Sequence, residues 1–371
     1  MSHISLQSPR PDVLHITEPF SFGCLTALSN IVSATAENGL HHAVAHGTAR
    51  AMAGAEALFP QGTRFFPVPS LRREISLQHD WAAWCALNKL IQALRPRLIH
   101  CHSSKAGVLG RLAARWHGIP SLYTPHGFSF LQENAPIVQR TIFKGIEWIM
   151  ARTGNALVAC GQQEYDIART LSPQCRQPLF IPNALSTSLL DEIRAEKPQS
   201  QPQKPRAGLC GRVTFARNSA WVQEAARATS DSITWKWIGG GEKAQALSHT
   251  IASTPCMEHK AALREMQQLD MYVQPSRWEG LSFSLLEAMY LGKPVIASRI
   301  PANAAVIHHG ETGFLVNNAT ELIQCVQKLA ADPSLRARIG AAAHDYAAQK
   351  HDSRIVYQKY TEIYSNLASE K

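Results

Sequence analysis

The chain has 371 residues, too many for one domain of ordinary size, and its 45% hydrophobic and 18% charged content describes a globular protein with more than one core. A formal net charge of +9, from 37 basic and 28 acidic residues, points to an anionic ligand or an anionic surface. Eight scattered cysteines without a C-x-x-C, no run of 18 apolar residues, no signal-peptide pattern and no zinc spacing or basic recognition helix argue against a disulfide scaffold, a membrane span and nucleic-acid binding, and predict a cytoplasmic protein.

In chain order, residues 13–17 (VLHIT) read as a strand, followed by the loop EPFSFGC and a helix over 25–38 that stops at Gly39. Strand, glycine-containing loop and helix begin a Rossmann-like unit, but Gly23 stands alone and G-x-G-x-x-G is absent, which disfavours a dehydrogenase. Gly23 is either a point of close ligand approach or a plain tight turn. Residues 41–46 form a second strand, and 65–75 a proline-rich connection carrying Arg72 and Arg73. A helix over 80–94 and a strand over 98–102 follow.

In that strand His100 and His102 share one face and Cys101 takes the other, so with no further ligand nearby the pattern predicts no metal. His102, Ser103 and Lys105 fall where the strand gives way to a helix, the end at which open α/β sheets place ligands. His126 falls just past the next strand, 122–124, with Gly127 allowing a sharp turn. The helix over 136–152 has apolar residues at Val138, Ile142, Ile146 and Ile149 with Arg140, Lys144 and Arg152 among them. A membrane-surface helix fits that pattern, and a crossover helix covering the sheet is the commoner explanation and the one expected here. Strands over 156–160 and 179–181 close the first half. EKPQSQPQKPR (196–206) has little to bury and reads as part of a linker.

The second half repeats the pattern: a strand over 207–210, a loop with Arg212 and Arg217, a helix, a strand over 235–238 ending in GGGE, and a short helix over 261–268. The most informative stretch is 271–298, MYVQPSRWEGLSFSLLEAMYLGKPVIAS, which reads as strand, polar turn, helix stopped by Gly292 and Pro294, and strand. Backbone N–H groups of Gly280, Leu281 and Ser282 would point out of the helix start and favour a phosphate. Glu287 could accept hydrogen bonds from a ribose diol, and Glu279 from hydroxyls of a group beyond the phosphates. Helices over 321–329, 333–349 and 352–368 complete the chain.

PSRWEGLSFSLLEAMYLGKPVIAS resembles the donor-binding motif of family 4 of the retaining, nucleotide-sugar-dependent glycosyltransferases, in its Glu pair, the glycine after the first Glu, Glu-Ala-Met and Gly-Lys-Pro-Val-Ile-Ala. HSSKAG (102–107), YTPHGFSF (123–130), IPN (181–183) and AVIHHGETGFLV (305–316) are similar to segments of the same family, so the resemblance covers nearly the whole chain. It implies the α/β fold called GT-B, two doubly wound Rossmann-like domains facing a central cleft. By this resemblance residues 1–185 form an acceptor domain, 186–206 a linker, 207–350 a donor domain, and 351–371 a helix packing back on the first domain.

It further implies catalytic roles for His126 and Glu279, with donor contacts from Gly23, Arg212, Arg217, Gly280, Leu281, Ser282 and Glu287. Arg217 stands where the family has Lys, replacing a point charge by a planar fork. His102, Ser103, Lys105, Arg72 and Arg73 fall on the acceptor side, the last two being otherwise a solvated charge cluster. With no Asp-x-Asp, the expectation is a metal-independent transfer with no cofactor beyond the nucleotide sugar. The acceptor would be a hydroxyl of a glycan or lipid-linked glycan in surface polysaccharide or lipopolysaccharide synthesis, at the inner face of the cytoplasmic membrane. A GT-B nucleotide-sugar epimerase and a catalytically idle binding protein are the alternatives.

Overall fold

Short apolar runs in this chain become parallel strands, and the amphipathic runs between them become the crossover helices. A computed structural model describes residues 10–172, 177–196 and 203–369. The chain divides into two units, Met1–Pro182 with Ser353–Lys371, and Asn183–Asp352.

The first unit holds β1 (Val13–Thr17), α1 (Phe22–Ala36), β2 (His42–His46), β3 (Arg64–Pro67), α2 (Leu77–Leu94), β4 (Leu98–His102), α3 (Ser104–Trp116), β5 (Ser121–Thr124), α4 (Ile137–Met150), β6 (Ala156–Ala159), α5 (Gln162–Leu171) and β7 (Leu179–Phe180). Its sheet runs β3-β2-β1-β4-β5-β6-β7, all parallel. The order reverses between β1 and β4, where Val13 pairs with Leu98 and Thr17 with His102. Both central strands are buried along their whole length, as expected of a sheet covered on two faces. A Cβ at Gly110 of α3 would meet the Cys101 Sγ at 2.4 Å, so glycine is what lets this helix lie close on β4.

The second unit holds α6 (Thr187–Ala195), β8 (Arg206–Cys210), α7 (Ser219–Ala228), β9 (Thr234–Ile238), β10 (Ile251–Ser253), α8 (His259–Gln267), β11 (Met271–Gln274), α9 (Phe283–Tyr290), β12 (Val295–Ser298), α10 (Pro301–Ala304), β13 (Gly313–Val316), α11 (Ala319–Ala331) and α12 (Pro333–Lys350). Its parallel sheet runs β10-β9-β8-β11-β12-β13 and reverses between β8 and β11. Asp332 caps α12 by accepting the Leu335 N–H at 2.9 Å, and Pro333 fills the first helical position. The chain then returns to the first unit as α13 (Ser353–Val356) and α14 (Gln358–Ser369). There Tyr357, Tyr360 and Tyr364 are buried, and Asn38 donates to the Thr361 hydroxyl at 3.3 Å.

Four expectations need correction. The connection over 65–75 begins within the edge strand β3, where Phe65 and Phe66 pair with β2 and the edge position tolerates Pro67. Within the expected linker 186–206, Thr187–Ala195 is a helix that buries Leu190 and Ile193, while 197–202 lie outside the described residues. The final helix is two segments. Lastly, α4 does not turn its apolar stripe to the sheet: Val138, Ile142 and Ile149 are exposed, and its buried residues are Glu147 and Met150. Among the described residues no helix is long and apolar enough to cross a membrane.

Candidate active site

In the second unit the loops after β8 and β11 diverge from the point where strand order reverses, the position at which open α/β sheets bind ligands. Arg217 ends a tight turn over Phe215–Arg217 in the first loop. Gly211, with φ at +127°, makes room for its guanidinium; a Cβ there would lie 3.2 Å from Nη2. Arg217 Nη1 donates to Gln274 Oε1 at 2.9 Å and lies 3.4 Å from Glu279 Oε1. Burial opposes the charge on Arg217, but the neighbouring Glu279 carboxylate together with Tyr272 and Cys210 outweighs it, so its pKa is raised. Ser276 Oγ donates to the same Glu279 oxygen at 2.8 Å.

Gln274, the last residue of β11, is fully buried and also accepts from Ser282 Oγ at 3.0 Å. Its Nε2 has no protein partner. Sequence reasoning missed this residue, whose only signal is an amide closing an otherwise apolar strand. With the Ser282 hydroxyl turned to Gln274, no side chain caps α9. Among the described residues the N–H groups of Gly280, Leu281 and Ser282 meet no protein acceptor. These amides, with the helix dipole, form a seat for negative charge. Arg212 is exposed on the loop after β8. Glu287 is buried in α9 with Oε1 2.7 Å from His259 Nε2. Burial would lower the His259 pKa, but the charge of and hydrogen bond to Glu287 raise it. His259 is a second residue that the motif did not reveal.

In the first unit, the segments that follow three strands each hold a non-glycine residue with positive φ: Phe22 after β1, Ser103 after β4 and His126 after β5, with φ of 49°, 75° and 51°. Such strain persists where surroundings impose it, and it concentrates at functional sites. At His126 the imposing group is Glu164 of α5, which accepts the Gly127 N–H and, at 3.0 Å, the Cys160 N–H. His126 Nε2 lies 3.0 Å from His102 Nδ1, and burial lowers its pKa to about 4. His102 is itself fully buried, behind His126. The Ser103 hydroxyl is buried without a protein partner.

The remaining candidates lie apart from this point. Gly23 sits in the first turn of α1, not in the loop, and it is Phe22 that takes the strained conformation. Lys105 is held by Asp80 at 2.6 Å and the Glu74 carbonyl at 2.9 Å, so its charge is already paired. Arg72 and Arg73 are exposed, donating to the Pro69 carbonyl and to Gln132 Oε1, both at 3.2 Å.

The third histidine absent from the local sequence is supplied by β1: His15, His100 and His102 bring a ring nitrogen each within 4.8 Å of one another. Both nitrogens of each ring have protein partners, however. His15 bonds to His42 and His102, His102 to His15 and His126, and His100 to Tyr364 and Thr124. The trio is satisfied as a hydrogen-bonded group, which is a poor fit to a metal centre.

Two parallel-sheet Rossmann-like units, each with polar groups gathered where its strand order reverses, define the GT-B class. Residues 22–184 match the family model "Glycosyl transferase 4-like domain" and residues 204–332 match "Glycosyl transferases group 1". Together the two matches take in most of the chain, which belongs to these glycosyltransferases.

Among curated relatives, the chain is 27% identical over 299 residues to the UDP-Gal:alpha-D-GlcNAc-diphosphoundecaprenol alpha-1,3-galactosyltransferase of Escherichia coli, covering 73% of this chain and 76% of that one. Among solved structures, sucrose-phosphate synthase from Thermosynechococcus elongatus aligns with a TM-score of 0.84 at 17% identity, over 97% of this chain and 100% of that one. Anabaena HepE in complex with UDP and glucose aligns with a TM-score of 0.79 at 17% identity, over 96% and 100%.

Proposed function

We propose that the protein transfers a sugar, with retention and without a metal ion, from a UDP-sugar to a hydroxyl of a polyprenyl-diphosphate-linked glycan. The observation that carries this reading is the Arg217–Gln274–Glu279 cluster beside the unpaired amides of 280–282. Arg212, Arg217 and these amides would neutralise the leaving diphosphate by fixed charges and dipoles that need no reorganisation. Glu279 would hold the donor sugar and Glu287 the ribose, and His126 would meet a substrate hydroxyl. Glu279 is already engaged by Arg217 and Ser276, which suits a positioning group better than a nucleophile, so the leaving phosphate would take the acceptor proton. The UDP donor and lipid-linked acceptor are supported by the activity of the E. coli relative and by the UDP complex of HepE.

The test is thermal stabilisation by UDP and UDP-sugars, with and without EDTA, followed by transfer of labelled sugar to a polyprenyl-diphosphate-linked acceptor. A shift that survives EDTA, with transfer, is expected. No shift with any nucleotide at millimolar concentration would sink the donor site, and sugar isomerisation without an acceptor would make the protein an epimerase.

The same reading brings the protein to an anionic membrane surface through α4. Its inward side is charged: Glu147, 4% exposed, accepts from Arg111 Nη2 at 3.3 Å and from the Tyr123 hydroxyl at 2.7 Å. Its outward side carries Ile137, Val138, Ile142, Trp148 and Ile149, all about half exposed or more, with Arg140, Lys144 and Arg152 around them. Arg73 links to Gln132, just before α4, and brings a second exposed apolar group, Ile75, Leu77 and Trp81. Each basic side chain near an anionic surface is worth about 1 kcal/mol, so three give roughly a hundredfold preference over neutral lipid. Sedimentation with phosphatidylglycerol vesicles, falling with salt and lost in an Ile142→Asp/Ile149→Asp variant of unchanged melting temperature, is expected. Equal binding to phosphatidylcholine would refute it.

A further inference from the structure

Behind His126 the first unit holds more histidine than the transfer uses. His42 of β2, His15 of β1, His102 of β4 and His126 form an unbroken row across the sheet. His42 Nδ1 lies 3.1 Å from His15 Nε2, His15 Nδ1 lies 3.1 Å from His102 Nε2, and His102 Nδ1 lies 3.0 Å from His126 Nε2. At the far end His42 Nε2 meets the Thr35 hydroxyl at 3.0 Å. His15, His42 and His102 are buried, which disfavours charge, so each ring carries one proton and has one donor and one acceptor nitrogen. A row of such rings can be polarised in only two ways.

Thr35 decides which. Its Oγ1 lies 2.7 Å from the Ile31 carbonyl one turn back in α1, and a carbonyl only accepts. The hydroxyl proton must therefore point to Ile31; otherwise two lone-pair oxygens would face each other at that distance with no hydrogen between them. The Thr35 oxygen is left to accept, so His42 donates from Nε2. Its Nδ1 then accepts from His15 Nε2–H, His15 Nδ1 accepts from His102 Nε2–H, and His102 Nδ1 accepts from His126 Nε2–H. His126 Nδ1 ends the row bearing a lone pair, and it meets no protein partner among the described residues.

We propose that Thr35, His42, His15 and His102 are positioning residues that hold His126 in its Nε2–H tautomer, so that Nδ1 accepts a hydrogen bond from a substrate hydroxyl and cannot donate one. This rests on the reading that His126 meets the substrate. A substrate group that can only accept, such as a deoxy-fluoro substituent or a methyl ether at that hydroxyl, would lose the contact.

The test uses the full chain with 15N-labelled histidine, whose long-range 1H–15N spectra tell the two neutral tautomers apart; His126 is assigned by its absence in His126→Gln. The wild-type spectrum is expected to show His126 protonated at Nε2 and bare at Nδ1, and a His126 protonated at Nδ1 would overturn the proposal with no variant needed. Thr35→Val keeps the side-chain shape and removes the hydroxyl. It should give mixed His126 tautomers and a kcat for sugar transfer lowered about tenfold, the worth of one hydrogen bond, with KM for the donor and the Kd for UDP little changed. Thr35→Ser should restore both the spectrum and kcat. A purely structural role for Thr35 would leave the tautomer unchanged in Thr35→Val, which overturns the proposal. If the spectra behave as expected while His126→Gln transfers sugar at the wild-type rate, the relay stands and the substrate-facing reading of His126 falls.

Discussion

Mild acid should destabilise the first unit before carboxylates begin to titrate, because its histidine row is stable only uncharged. Burial lowers the pKa of His42 and His126 from 6.5 to about 4, and holds His15, His100 and His102 well below 6.5 as well. Between these values the unfolded chain binds more protons than the folded one, so stability falls as pH falls from about 7 toward 4. For a group moving from 6.5 unfolded to about 4 folded, the loss between pH 7 and pH 5 is about 1.8 kcal/mol.

His42 and His126 together therefore cost about 3–4 kcal/mol, a large share of a typical domain's 5–15 kcal/mol, and the other three act with the same sign. His259 opposes them: its raised pKa contributes stability that is present below 6.5 and lost as pH rises through its folded value, but it lies in the second unit. The assay is urea unfolding at pH 7 and pH 5, read by hydrogen-exchange pulses at one fixed pH on peptides from β1, β2 and β4. Those strands should unfold at markedly lower urea at pH 5. A midpoint that is unchanged, or higher, would refute the assignment of a neutral row.

Gly211→Ala should weaken UDP binding about tenfold, because the new Cβ at φ +127° crowds Arg217, and titration calorimetry would show it. Glu147→Ala leaves Arg111, 2% exposed, without its carboxylate and should cost about 3–5 kcal/mol, read as early exchange of the α3 and α4 amides on heating. Glu279→Ala should cut sugar transfer about a hundredfold while leaving the Kd for UDP nearly unchanged, whereas Arg212→Ala should raise that Kd ten- to a hundredfold. Full turnover by Glu279→Ala, in a radiolabel transfer assay, would remove it from the site.

Much of the fold was legible because parallel strands buried on both faces must be short apolar runs. The strand over 13–17 and that over 98–102 have the boundaries expected from the sequence. What escaped were elements whose stability comes from elsewhere in the chain. β3 pairs only at the sheet edge, and α6 shows a single turn of apolar residues before a proline-rich stretch, so neither carries a strong local period. At the candidate site, Arg217 and Glu279 lie in separate loops that the sequence marks, and the structure brings them within 3.4 Å. Gln274 and His259, which hold Arg217 and Glu287, carry no motif because their role depends on a neighbour 57 and 28 residues away.

The two features that reach furthest beyond the sequence share one cause, which is that periodicity names a face without saying what the face meets. In α4 the spacing of Val138, Ile142, Ile146 and Ile149 fixes a stripe, but its direction depends on Arg111 of α3, which takes up Glu147 from the opposite side and lays its guanidinium 4.0 Å from the Tyr123 ring centre. The carboxylate of Glu147 finds a buried partner on that side, and the apolar stripe is left facing outward. The histidine row is the same argument in a sheet. Alternation puts His100 and His102 on one face of β4, but only the register of β1 against its two neighbours sets His15 between His42 and His102. Neither outcome is encoded within its own segment, and in each the polar pairing across elements decides what the local pattern leaves open.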